Sequence, residues 1–135
     1  MGATVTINYS SPGVKGRKIW GDLVPYDKVW RAGANEATVF ETDKDIKVAG
    51  NVLKKGKYSI YMIPGESEWQ VIFNSEVGQW GITRARETTR NPEKDVFIVK
   101  VKSIKIDLKE SLEYKVNASG VSLSWENFQV SIPIQ

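Results

Sequence analysis

Three side chains within the six residues 31–36 can do recognition chemistry: Arg31 offers a guanidinium fork, Asn35 a carboxamide and Glu36 a carboxylate. Ala32, Gly33 and Ala34 between them are small enough to let the backbone come close. Such a set can grip a carboxylate, a phosphate or a sugar diol through bidentate and amide hydrogen bonds. The same residues also admit a structural reading, in which Arg31 pairs with Glu36 or another acid and Asn35 caps a loop carbonyl or amide. Trp20, Tyr26, Trp30 and Trp80 lie in or next to irregular segments. Flat aromatic faces stack on sugar rings or bases, and they also plug the open end of a β-core. Arg17 sits in Gly13-Val14-Lys15-Gly16-Arg17-Lys18, which has the charge of a phosphate cradle but not the P-loop spacing. An electropositive rim and a solvated turn are both compatible with it. The candidate ligand-binding set is therefore Arg17, Trp20, Trp30, Arg31, Asn35 and Glu36.

The absent residue types narrow the chemistry further. The chain has no cysteine and no histidine. It therefore has no thiolate nucleophile, disulfide framework, imidazole base, Ser-His-Asp triad or histidine-held transition metal. Carboxylates remain, and Glu36 with Asp22 or Asp27 is the pair that a glycosidase-like hydrolase would need. Glu66, Glu68 and Glu87 are further acids without a visible partner. Asp43 and Asp45 lack the glycine and terminal Glu of a calcium loop, so a surface turn is expected there. No catalytic residue, metal or cofactor is expected. Asn8-Tyr9-Ser10 and Asn117-Ala118-Ser119 match the glycosylation triplet, a pattern common by chance.

The elements that must position these groups read as strands. Val5, Ile7 and Tyr9 alternate with Thr4, Thr6 and Asn8, the pattern of a half-buried strand. Between residues 9 and 38 the chain carries four glycines, two prolines, two tryptophans and two arginines, which is the composition of a built loop. A short helical turn at Tyr26–Trp30 is the one helical feature expected in it. Residues 37–42 and 45–49 are β-prone, with Gly50-Asn51 as a turn, and residues 57–74 form a hairpin around Pro64-Gly65-Glu66-Ser67. Leu53-x-x-Gly56-x-Tyr58 resembles a tyrosine corner. Residues 75–92 lack any period and hold Arg84, Arg86 and Arg90, making a second long loop. Phe97, Val99 and Val101 then give way to Ile104, Ile106 and Leu108, a parity change that predicts a bulge near Lys102-Ser103. Leu112, Tyr114 and Val116 form another strand, and a second slip is expected near Asn127. Trp69 and Trp125 alternate with strand residues and belong to the core.

One domain over residues 1–135 follows, all-β, an antiparallel sandwich of the Greek-key or jelly-roll kind with about eight to nine strands and one long structured N-terminal loop. Net charge is +3 and the isoelectric point about 9.1, short of the single-sign field of a nucleic-acid binder. No run of eighteen apolar residues is present to span a membrane. Met1-Gly2-Ala3 leads straight into a strand pattern with no signal-peptide pattern before it, and a mature region freed of its leader would look the same.

The loop string Ser11-Pro12 … Gly16-Arg17-Lys18-Ile19-Trp20-Gly21 … Leu23-Val24-Pro25-Tyr26 … Trp30-Arg31 … Gly33-Ala34-Asn35-Glu36-Ala37-Thr38 resembles a bacterial family defined by a domain of unknown function, number 2911 of that series. So do Gly56-Lys57-Tyr58-Ser59, Ile63-Pro64-Gly65, Trp69, Phe73-Asn74 and Gln79-Trp80-Gly81. Asp27 stands where the family usually has glycine, and Ser11 where arginine is frequent. The resemblance covers nearly the whole chain and marks Arg17, Trp30, Arg31, Asn35 and Glu36 as motif positions. It implies an exported protein of the cell envelope or periplasm, and no activity. Three functions are open at this level: a non-catalytic binding module for a glycan or small anion, a structural or protein-interaction domain whose 11–36 loop is a clasp, and a carboxylate-dependent hydrolase.

Overall fold

The structure is a computed structural model describing residues 2–85 and 87–135. Among these residues eight strands form two antiparallel sheets. They are β1 (Val5–Ser10), β2 (Ala34–Thr42), β3 (Ile46–Val48), β4 (Asn51–Leu53), β5 (Gly56–Ile63), β6 (Glu68–Asn74), β7 (Asp95–Asn117) and β8 (Gly120–Pro133). The large sheet runs β1-β2-β5-β6-β7-β8, and β3-β4 is a separate ribbon. The architecture is sandwich-like, with the six-stranded sheet curled into a half-barrel.

Local chemistry sets most of this. Alternation puts Val5, Ile7 and Tyr9 inward on β1 and leaves Thr4, Thr6 and Asn8 exposed. The β5–β6 hairpin pairs Tyr61 with Ile72 and Met62 with Val71. Tyr58 donates from its hydroxyl to the Lys54 carbonyl at 2.7 Å, closing the expected corner. The turn between β3 and β4 falls on Ala49-Gly50, both left-handed, and Asn51 already belongs to β4.

β7 departs from expectation. Residues 95–117 form one strand of 23 residues rather than two. The register holds through Lys102–Ser103 and shifts instead between Lys105 and Lys109 and again between Lys109 and Glu113. Ile104 and Leu108 are 55% and 63% exposed, so they are not the core face that their alternation suggested. They lie past the last β6 pair, Glu68–Lys102, where β7 pairs with β8 instead. Beyond the shifts Leu112 and Tyr114 point into the core, while Val116 is exposed. The slip in β8 centres on Glu126, whose φ is +54°, one residue before the expected site.

The N-terminal segment closes the curl. Pro12–Val14 lies against the far half of β7, with Val14 N donating to Glu110 O at 2.8 Å and Leu112 N to Pro12 O at 3.0 Å. The ribbon β3–β4 is held by a two-bond exchange between Lys47 and Gln135, at 2.9 and 2.8 Å. The main core gathers Phe40, Ile60, Met62, Val71, Phe73, Leu123 and Ile132 on the concave face. Ala37, Tyr61 and Ile72 form a small second cluster on the opposite face. The 75–91 loop covers it, with Gln79 Nε2 donating to the Tyr61 hydroxyl at 2.9 Å and Ala37 N to the Gln79 carbonyl at 3.2 Å.

Candidate ligand-binding cleft

The segment from Ser11 to Gly33 is irregular yet fully tied. Val24 N donates to Ile19 O and Gly21 N to Val24 O, both at 2.9 Å, making a tight turn. Gly21 has φ +85°, and a Cβ there would press on the Tyr26 ring, so glycine serves both needs. The chain then runs beside β5. Asp27 N donates to Pro64 O at 2.8 Å, and Trp30 and Met62 exchange backbone bonds of 2.7 and 2.9 Å. This exchange uses the backbone groups that a helix would need, so no helical turn forms at Tyr26–Trp30. Ala32 follows, buried, at φ +59°. Its carbonyl accepts from Thr38 Oγ1 at 3.0 Å and from the Tyr114 hydroxyl at 2.6 Å.

Four tryptophans meet beneath this segment. Trp20 makes edge-to-face contacts with Trp69 at 4.8 Å, Trp30 at 5.6 Å and Trp125 at 5.7 Å. Trp30 stacks over Trp125 at 6.1 Å, their planes 14° apart. Each such pair contributes about 0.5–1.5 kcal/mol beyond area burial. Trp125 Nε1 donates to Glu110 O at 3.3 Å, whereas Trp20 Nε1 is buried without a partner among the described residues.

Across from Trp30 stands a small hairpin arm. Ile82 bridges Thr88, Thr83 N donates to Glu87 O at 2.7 Å and Thr89 N to Gly81 O at 3.1 Å. The arm crosses directly over Arg31 and Ala37, because a Cβ on Gly81 would lie 3.0 and 3.1 Å from their Cβ atoms. Between arm and segment opens a cleft of about 490 Å³, within the usual range for small-molecule sites. Val24 and Trp125 are buried in its wall, Leu23, Val29, Trp30 and Ile82 are half-buried, and Arg17, Lys28 and Arg84 are exposed. The wall thus grades from buried apolar side chains to exposed charged ones.

Four cations, Arg17, Lys28, Arg31 and Arg84, face this space against one carboxylate, Asp22. Among the described residues none of the four forms an ion pair. Arg17 donates to the Val14 carbonyl at 3.0 Å and to the Gly13 carbonyl at 2.6 Å, using two of its five N–H groups. Arg31 donates to the Asn35 carbonyl, and its guanidinium carbon lies 6.0 Å from the centre of the Trp80 ring. Partial burial lowers the Arg31 pKa from the ordinary arginine value, and the Glu36 carboxylate opposes that shift. The group stays charged, so the burial leaves a partly desolvated cation.

The six sequence-derived candidates separate. Arg17, Trp30 and Arg31 line the cleft. Trp20 lies in the core with the other tryptophans. Asn35 and Glu36 are exposed and off the cleft wall. Asn35 acts through its backbone: its carbonyl holds Arg31 and its φ is +58°, a conformation asparagine tolerates better than most residues. The structural reading pairs Arg31 with Glu36 or another acid; among the described residues Arg31 makes no close salt bridge, though the Glu36 carboxylate still acts on its guanidinium. Glu36 and Asp27 are absent from the cleft wall, so the cleft holds one acid where a two-carboxylate hydrolase needs two. Lys28 and Arg84 were not foreseen as site residues. An irregular second loop with several arginines was the available signal for Arg84. Arg86 lies outside the described residues.

Other expectations resolve as structure. Trp80 does not plug the core but is 54% exposed beside Arg31. Asp43 accepts from Thr4 N at 2.7 Å and Asp45 from Lys55 N at 2.8 Å, as turn residues do. Asn117 accepts from Ser119 N and Gly120 N at 2.9 and 3.1 Å, holding the β7–β8 turn. Among the described residues no three acidic side chains gather as a metal site, and no helix is long and apolar enough to cross a membrane.

No curated protein and no solved structure matches the chain significantly. A family defined only as proteins of unknown function, DUF2911, matches residues 1–134, and the chain belongs to that family.

Proposed function

We propose that this protein is a non-catalytic binding module of the bacterial cell envelope that takes a small anionic ligand in the cleft between the 12–34 segment and the 81–89 arm. One observation carries the reading: four cations that form no salt bridge, among the described residues, line a cleft of ligand-sized volume whose wall includes Trp30 and Trp125. A cation relieved of part of its hydration and left unpaired gains most from an incoming anion. Neither a thiolate nor an imidazole exists in the chain, and the wall supplies a single acid, so binding is the chemistry on offer. A glycan fits this reading best when it carries a uronate or phosphate. The envelope location rests on the exported character that the family resemblance implies.

The test is calorimetric titration with glucuronate, succinate and inorganic phosphate, with glucose as the neutral control. At least one anion binds, more weakly as salt rises. The double variant Lys28→Gln/Arg84→Gln, both on exposed side chains, weakens that binding with little change in melting temperature. Failure of all three anions, or equal binding of glucose, would contradict the proposal.

A second reading has its own support. The Ala32 carbonyl is held from β2 and from β7 at once, so the segment also fastens the sheet. A domain whose loop is only a clasp would show that fastening and no ligand.

A further inference from the structure

The grading of the cleft wall says more about the ligand than its charge alone. A site for a bare anion such as phosphate presents polar groups throughout, because an ion gains nothing from apolar walls and loses hydration against them. Here the apolar wall residues Val24 and Trp125 are buried and Leu23, Val29, Trp30 and Ile82 half-buried, whereas three of the four cations are exposed, together with Asp22, Pro25 and Thr83. Arg31 alone among the cations is half-buried, fixed on the Asn35 carbonyl and beside the Trp80 ring. A neutral apolar guest would leave the cations unused, and a fully polar guest would waste the apolar wall. Only a molecule with both parts uses both sets.

We propose that the cleft takes an amphiphile with one anionic head, its aliphatic or acyl body against Val29, Trp30 and Ile82 and its carboxylate or phosphate held at the mouth by Lys28, Arg31 and Arg84. This rests on the anion-binding reading above and narrows it to a ligand class. The body enters first and the head stays near solvent, which suits a free fatty carboxylate and an acyl-chain phosphate alike. Trp30 and Trp125 belong to the wall, so occupancy alters tryptophan emission.

The experiment titrates the whole chain with decanoate below its micelle threshold, and in parallel with decanol, acetate and inorganic phosphate, following tryptophan fluorescence and calorimetric heat. Decanoate is expected to saturate at one site, at least about tenfold tighter than either decanol or acetate. Lys28→Gln/Arg84→Gln is expected to lose about tenfold in decanoate affinity and nothing in decanol affinity, as removal of charge-assisted contacts requires. Ile82→Thr, which keeps the arm's β-branched shape, should weaken decanoate and spare inorganic phosphate. A short-chain lysophosphatidate in place of decanoate tells phosphate heads from carboxylate heads, and binding of either supports the class. Acetate or phosphate binding as tightly as decanoate would overturn the amphiphile class and leave the anion reading standing. Decanol binding as tightly as decanoate would overturn both. Silence from decanoate and the lysophosphatidate alike would overturn the class, with the anion reading then decided by the glucuronate, succinate and phosphate titrations.

Discussion

The hydroxyl of Tyr114, near the C-terminal end of the sheet's longest strand, donates a 2.6 Å hydrogen bond to the carbonyl of Ala32, in the segment that walls the cleft. The same carbonyl accepts from Thr38 Oγ1 at 3.0 Å. Two strands thus hold one loop atom, and the loop that carries Trp30 and Arg31 is fixed from below before any ligand arrives. Preorganisation of this kind lowers the ordering cost of binding.

Removing either donor leaves the other, so Tyr114→Phe and Thr38→Val should each cost about 1 kcal/mol. Together they strand a buried carbonyl, and the double variant should lose more than the sum of the two. Urea unfolding of the four proteins in the cycle measures it. Strict additivity would mean that the two bonds do not share the load.

Trp30 and Trp80 are expected to differ sharply. Trp30 packs its ring within the four-tryptophan cluster, so Trp30→Ala should cost about 3–5 kcal/mol. Trp80 is exposed, and Trp80→Ala should stay within about 0.5 kcal/mol of the parent. Thermal unfolding of both variants checks this, and equal losses would contradict the placement of Trp80 outside the core.

Alkaline pH should loosen the fold through buried tyrosine. Burial raises the Tyr114 pKa well above that of a free tyrosine, so the folded state keeps the proton while the unfolded chain releases it near pH 10. The stabilisation is complete below that pH and is lost as pH rises beyond it. Tyr61, also raised by burial, adds in the same direction. Melting temperature measured from pH 9 to 11 should fall, and should fall less steeply in Tyr114→Phe.

Gly81→Ala probes the arm. The residue sits at φ +96° with Arg31 and Ala37 Cβ atoms at contact distance, so a methyl group is both strained and crowded. The variant should lose more than about 1 kcal/mol and bind anions less tightly, because the arm that carries Arg84 must lift. Unchanged unfolding and binding would show that the arm does not pack on Arg31.

Much of the scaffold was legible in the chain. The alternation of Val5, Ile7 and Tyr9, the Pro64–Ser67 turn and the Leu53–Tyr58 corner each report a local physical requirement, and each appears as read. β7 was misread because alternation says which residues share a face, not whether anything covers that face. Ile104 and Leu108 carry the pattern of a core row where pairing has passed from β6 to β8 and both side chains are exposed. Three of the six candidate residues, Arg17, Trp30 and Arg31, share the cleft wall because they lie on one loop of unusual composition. Lys28 is an ordinary lysine until β5 fixes its neighbours, and Arg84 reaches the cleft only through the fold of a distant loop. Asn35 drew attention for its side chain, while the structure uses its backbone conformation and its carbonyl.

The central claim, that the tied N-terminal segment and the 81–89 arm enclose an anion site, is tested most directly by the indole N–H resonances of the five tryptophans during titration with glucuronate and with hexanoate. Trp30 and Trp125 line the cleft and should shift in a saturable manner with at least one of these anions, while Trp69 stays in place and glucose and hexanol move none of them. Absence of any shift with both anions, or shifts confined to the exposed Trp80, would contradict it.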